Sequence, residues 1–215
     1  MLGKLIFWKV AMKFNKSLFA LACVLTLSVF ANQVSAATLI PLAGKTEVQL
    51  SSDLVGALTS LGVTPEALKP GTLSKRGIAA FPITTGALEG LRGEIDHSGG
   101  LTFSAGETHV VVSSFVIDLL GPKPVLTGLV IANSNILARA PLFDLDTNAL
   151  DVLSKGKRVV LSNVGLTLNK NAADLLNQVF GVTAFTEGLP IGKAKVRITN
   201  SMPDYDDHDH HHHDH

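Results

Sequence analysis

Between residues 47 and 199, apolar and polar positions alternate in short runs bounded by Gly, Asn, Asp or Pro. The runs cover 47–50, 101–104, 109–117, 124–131, 135–140, 158–161, 165–168 and 193–199. Period-two alternation with many β-branched residues predicts half-buried β-strands. Connections as short as Ser98-Gly99-Gly100 and Ala105-Gly106-Glu107 predict hairpins, since a parallel crossover needs about a dozen residues or more. Two segments switch to helical spacing. In 51–61, Leu54, Leu58 and Leu61 share one face behind a Ser/Asp start, and Gly62 follows as a stop. In 169–180 the same plan recurs, with Gly181 as the stop. The expected fold is mainly β: an antiparallel β-sandwich or barrel-like domain over 37–200, with two short helices.

The two helical segments share more than their stops. Val48-Gln49-Leu50 precedes the first and Leu166-Thr167-Leu168 the second; Gly62-Val63-Thr64 follows the first and Gly181-Val182-Thr183 the second. One reading is two related halves framing a single ligand cavity. The other is that a cap, an apolar face and a Gly stop are what any short helix needs.

Both ends of the chain depart from this pattern. Lys4, Lys9, Lys13 and Lys16 precede an apolar run over 18–30, and Val34 and Ala36 are placed as the small residues of a cleavage site. That order is a secretory signal peptide over 1–36, and the run is too short to span a bilayer, which takes about 20 residues. The protein is therefore expected to be secreted or periplasmic, with no stable membrane span after cleavage. The opposite end, 201–215, holds five Asp and six His, has little apolar content, and reads as a disordered His/Asp-rich tail.

Composition narrows the chemistry of the body. Lys and Arg total 18 and Asp and Glu total 18, and residues 37–200 alone carry 14 basic and 13 acidic side chains. A nearly neutral body without a basic stripe argues against nucleic acid as partner. The single cysteine, Cys23, lies in the leader, so thiol catalysis, disulfide frameworks and cysteine-based metal sites are excluded from the body. Gly188-Leu189-Pro190-Ile191-Gly192-Lys193 has three residues between its glycines and Ala194 after the lysine, whereas a phosphate loop needs four and then Ser or Thr. There is no Gly-x-Ser-x-Gly elbow. Asp144 and Asp146 fall on one face of a strand without calcium-loop spacing and read as solvated strand-end carboxylates. The expectation is a protein that is not an enzyme.

The stretch Gly93-Glu94-Ile95-Asp96-His97-Ser98-Gly99-Gly100-Leu101-Thr102-Phe103, running into Val110-Val111-Val112-Ser113-Ser114-Phe115-Val116-Ile117-Asp118, resembles the central part of the HtaA-type conserved-region domain. The resemblance implies a secreted or surface haem-binding domain, mostly antiparallel β with two short helices. It also implies a tyrosinate ligand near the first helix, supported by a histidine. His97 stands at the motif histidine. The tyrosine has no counterpart, because the only Tyr of the chain is Tyr205. His97 is then a candidate axial haem ligand itself, since imidazole binds haem iron; its plainer reading is a strand-end histidine satisfied by Asp96 or the turn backbone. With the strand 101–104 placed between them, His97 and His109 are expected roughly 10 Å apart.

The densest candidate chemistry is the tail. Asp207, His208, Asp209, His210, His211, His212, His213, Asp214 and His215 combine neutral imidazoles with carboxylates. Imidazole suits Zn²⁺, Ni²⁺ and Cu²⁺, and interleaved Asp adds oxygen ligands or acceptors for the distal ring N–H. The sequence-based expectation is an exported binding protein whose tail captures or buffers a divalent transition metal. The alternatives are an HtaA-like haem-binding or haem-transfer protein and a structural or adhesive surface protein.

Overall fold

The computed structural model describes residues 38–39 and 41–200. The expected leader and the expected tail lie outside these described residues.

The chain runs β1 (Thr38–Leu39), β2 (Pro41–Leu50), α1 (Ser52–Ser60), β3 (Thr64–Leu68), β4 (Thr72–Leu73), β5 (Ile78–Glu89), β6 (Arg92–His97) and β7 (Gly100–Ala105). It continues through β8 (Thr108–Asp118), β9 (Val125–Ala132), β10 (Asn135–Asp146), β11 (Asp151–Lys155), β12 (Arg158–Leu168), α2 (Lys170–Phe180) and β13 (Pro190–Asn200). Eight strands form a closed antiparallel ring in the order β5-β2-β13-β12-β10-β9-β8-β6, with β6 returning to β5. The expected antiparallel β domain with two short helices is therefore present, as a barrel. β1 and β4 add to β5, β11 adds to β12, and β7 and β3 extend the sheet beyond β8.

Closure follows from the alternation. On β2, Thr46 and Val48 point inward and are buried, while Lys45 and Glu47 stay in reach of solvent. Ile95, Val110, Val130, Leu168, Val196 and Ile198 fill the interior at 2% exposure or less. Two bulges reset the phase. Ser114 at φ 51° and Asn163 at φ 62° sit where the register of β8 and β12 shifts. Val110 and Val112 are therefore followed inward by Phe115 and Ile117, and Leu161 by Val164. An added residue restores the inward face after the strand bends around the barrel.

Both helices start and stop as their sequences predict. Ser51 Oγ accepts the Leu54 N–H, and Asn169 Oδ1 accepts the Asn171 N–H. At the end of α1, the Val63 N–H reaches Leu58 O and the Gly62 N–H reaches Thr59 O, the paired bonds of a left-handed C-terminal cap. β2 and β12 flank β13 and are both antiparallel to it, so they run parallel to one another. α1 and α2 therefore leave the barrel at the same end. The repeated strand–helix–Gly-Val-Thr unit is thus two similar corners on either side of one strand.

One expected hairpin is absent. Ser98-Gly99-Gly100 does not reverse the chain, since β6 and β7 pair successively with the same strand, β8. The glycines serve close approach: a Cβ on Gly99 would lie 2.3 Å from the Gly71 nitrogen, and one on Gly100 would lie 2.2 Å from the Val112 oxygen. Ala105-Gly106-Glu107 does turn the chain, with Ala105 opposite Thr108.

Candidate functional site

The barrel interior is divided at mid-height by Thr46, Val48, Leu126 and Leu166, which line a cavity on each side. The cavity at the helix end has an interior of about 90 Å³; counted out to open solvent at its mouth, the atom-free space there is about 1060 Å³. Its floor is the strand interior. Its cover is Leu54 and Leu58 of α1, and Ala172, Leu175, Leu176 and Phe180 of α2. Phe81, Phe103, Phe115, Phe143, Phe180 and Phe185 all line it, and these six are every phenylalanine between residues 37 and 200. Phe81 meets Phe115 edge to face, with centroids 4.8 Å apart, and Phe180 tilts against Phe185 at 6.3 Å. Flat apolar walls of this kind favour a flat apolar guest.

Phe185 is held in place by α2. Asn177 Nδ2 donates to the Phe185 carbonyl at 2.8 Å, and Asn177 Oδ1 accepts the Phe185 N–H at 3.0 Å. A single amide thus satisfies both backbone groups of a loop residue and fixes its ring over the cavity. No sequence motif marks Asn177 for this role.

His97 is the titratable side chain of the cavity, and it is buried with 5% exposure. Its Nδ1 lies 3.3 Å from the Phe115 carbonyl oxygen, which can only accept, so Nδ1 carries the hydrogen. Nε2 is then the acceptor, and it takes the Thr46 hydroxyl hydrogen at 2.7 Å. Burial lowers its pKa to about 4, against the raising effects of the Phe115 carbonyl and the Asp96 charge. The imidazole is therefore neutral at ordinary pH, and its one free lone pair is occupied by Thr46.

This corrects the plainer reading of His97. Its partners are a carbonyl on β8 and a hydroxyl on β2, across the barrel wall, and not Asp96 or a turn. The expected separation from His109 is also corrected. His109 pairs with Ser104, seven positions beyond His97 along one continuous edge, so the two lie roughly 20 Å apart. His109 Nδ1 shares a hydrogen with Ser104 Oγ at 2.9 Å.

Asp144 accepts from Asn169 Nδ2 at 2.8 Å and ties β10 to the start of α2, and Asp146 accepts from Asn148. Both therefore do local structural work. Among the described residues, no group of three His, Cys, Asp or Glu side chains is placed to hold a metal ion. Asp207, His208, Asp209, His210, His211, His212, His213, Asp214 and His215 lie outside the described residues.

No protein-family model matches the sequence, and no curated protein sequence matches it. Solved structures do. The C-terminal domain of HtaA from Corynebacterium glutamicum superposes with a TM-score of 0.57 at 14% identity, over 76% of this chain and 99% of that one. The heme binding protein HtaB from the same organism gives 0.54 at 11% identity, over 77% and 96%. The N-terminal domain of HtaA gives 0.55 at 14% identity, over 75% and 99%. At these identities the likeness is one of fold, and it bears out the resemblance read from the Gly93–Asp118 stretch: the described chain is a distant structural relative of the HtaA and HtaB domains.

Proposed function

We propose that the barrel binds haem, or a similarly flat apolar macrocycle, in the cavity beneath α1 and α2. The observation that carries this reading is the convergence of all six phenylalanines of the body on one apolar cavity that also holds a neutral histidine. The fold shared with HtaB, a heme binding protein, supports it. The side chains present fit such a group. Phe and Leu side chains wall off the ring, and His97 Nε2 supplies a nitrogen to the iron once it parts from the Thr46 hydroxyl. Bound haem brings the iron chemistry; the chain excludes water and presents an unprotonated nitrogen. This is binding without catalysis, in a protein we read as exported on the strength of residues 1–36.

The test is a haem titration of the full chain, followed by absorbance. A saturable Soret band is expected. His97→Ala should weaken binding by at least about tenfold and shift the band, as expected for loss of a charge-neutral nitrogen ligand. Thr46→Val should tighten binding, because it vacates Nε2. An unchanged haem spectrum in the wild-type protein would remove the reading.

A second reading rests on the density of residues 208–215, six His in eight positions. We propose that 204–215 captures Zn²⁺, Ni²⁺ or Cu²⁺ independently of the barrel. Calorimetry on the full chain and on a chain ending at residue 203 tests it. Stoichiometric metal binding should vanish with the tail and fall steeply below about pH 6 as protons compete. Undiminished binding by the shortened chain would end this reading.

A further inference from the structure

The cavity at the other end of the barrel differs in kind. It has an interior of about 180 Å³, or about 830 Å³ counted out to open solvent at its mouth, and not one aromatic ring lines it. Its depth is aliphatic and buried: Ile95, Ile117, Leu161, Val164 and Val196. Its outer lining includes Leu91, which is 49% exposed although it belongs to the cavity wall, and Leu120 beside the wall residue Leu119 is 53% exposed. No titratable side chain lines it. A space of this composition offers nothing to a planar or polar guest, but it suits a slender, flexible hydrocarbon.

The charges around its mouth are of both signs. Glu89 stands opposite Arg92 in the β5–β6 ladder and Glu94 stands opposite Asp118. Asp118 accepts from the Leu120 N–H, Asp146 from Asn148, and Asp151 from Asn163. Lys123 directly precedes the wall residue Pro124, and Arg92 directly follows Leu91. Both cations are exposed, and neither has a hydrogen bond or ion pair among the described residues. An aliphatic interior behind a rim of mixed charge complements an apolar chain whose polar end stays in water.

We propose that this far-end cavity binds a single unbranched acyl chain among Ile95, Ile117, Leu161 and Val164, with its polar end in solvent at the rim. The site is separate from the helix-end cavity, with the Thr46, Val48, Leu126 and Leu166 layer between them. The molecule thus has one aromatic and one aliphatic compartment in the same barrel.

Titrating the full chain with cis-parinaric acid and following its fluorescence tests this. Saturable binding near one molecule per chain is expected. Ala194→Phe, which fills the cavity from β13, should weaken it at least tenfold. Leu150→Glu at the part-exposed wall offers the same readout without altering the barrel interior. Phe180→Ala at the helix end should leave it unchanged. Displacement by palmitate or by lysophosphatidylglycerol tells a free fatty acid from a lipid headgroup as the preferred source. No binding, or binding lost in Phe180→Ala and kept in both Ala194→Phe and Leu150→Glu, would overturn the assignment. Haem titration of the same variants keeps the two cavities distinguishable, since failure of haem to bind leaves the parinaric acid result standing.

Discussion

Replacing Gly192 by alanine should destabilise the barrel by about 3 kcal/mol or more. Gly192 is paired with Leu50 on β2 at φ +157°, and a Cβ there would lie 2.1 Å from the Gln49 carbonyl oxygen and 3.0 Å from its carbon. Both neighbours are backbone, so no side-chain rotation relieves the clash. The seam between β2 and β13 must open by roughly 1 Å, which breaks ladder hydrogen bonds in a buried wall. The damage does not stop at the strand. The Ser51 N–H donates to Ile191 O and the Ser51 hydroxyl donates to Pro190 O, so the residue that caps α1 is anchored to the same stretch of β13. Opening the seam therefore also unseats the helix that covers the aromatic cavity. Gly56, inside α1, is the contrast, since a Cβ there meets nothing within 4 Å. Gly56→Ala should stabilise by about 0.5–1 kcal/mol through helix propensity. Urea midpoints of the two variants should move in opposite directions. A Gly192→Ala protein within 1 kcal/mol of wild type would show that the seam is far softer than its geometry implies.

Acidification should cost the protein about 2 kcal/mol of stability between pH 7.5 and 5.0, through His97 alone. In the fold its pKa is lowered to about 4 by burial, against 6.5 for the free side chain. Below pH 6.5 the unfolded chain takes up a proton at this position and the folded chain does not. Protons therefore favour unfolding, and stability falls as pH drops from 6.5 towards 4. Glu47, held below the usual carboxylate range by hydrogen bonds from Lys45 and Arg197, loses its contribution only in stronger acid. Urea unfolding at pH 7.5 and 5.0 measures the difference. In His97→Phe the gap should shrink to a few tenths of a kcal/mol, and a gap of undiminished size would mean that another group carries it. The same depressed pKa means that the proposed haem ligation by His97 should persist from pH 8 to 5 and weaken towards 4.

The two helices were legible in the sequence because each of their boundaries is a local event. Ser51 and Asn169 cap through side chains that reach two or three residues on, and Gly62 and Gly181 adopt the left-handed conformation their positions need. The strands were legible where one face is apolar throughout, as in β9 with its strict alternation of burial. β5 was not, because Ala79, Ala80, Pro82 and Gly86 interrupt the β-branched pattern, although Phe81, Ile83 and Leu88 are buried. Glycine was misread at Ser98-Gly99-Gly100 because the residue signals both reversal and close approach, and only the neighbouring backbones at Gly71 and Val112 decide which. The candidate site was legible only as His97. Its partner Thr46 lies 51 residues away, and nothing in an alternating strand marks one threonine as the group that occupies an imidazole. The gathering of the phenylalanines is equally non-local, since they arrive from four strands, a helix and a loop-held clamp.

The ring is shut by the meeting of β2 with β13, where Ala43 stands opposite Thr199. The strand that completes it is the last of the described strands in chain order. A chain emerging from its N-terminus can assemble the successive hairpins β8–β9–β10 as they appear, because those contacts are close in sequence. It cannot enclose either compartment until residues 190–200 arrive. Through most of synthesis the two lining surfaces stand open side by side, and both become interior in one late step. A guest lying on either surface at that moment would be enclosed as the seam closes.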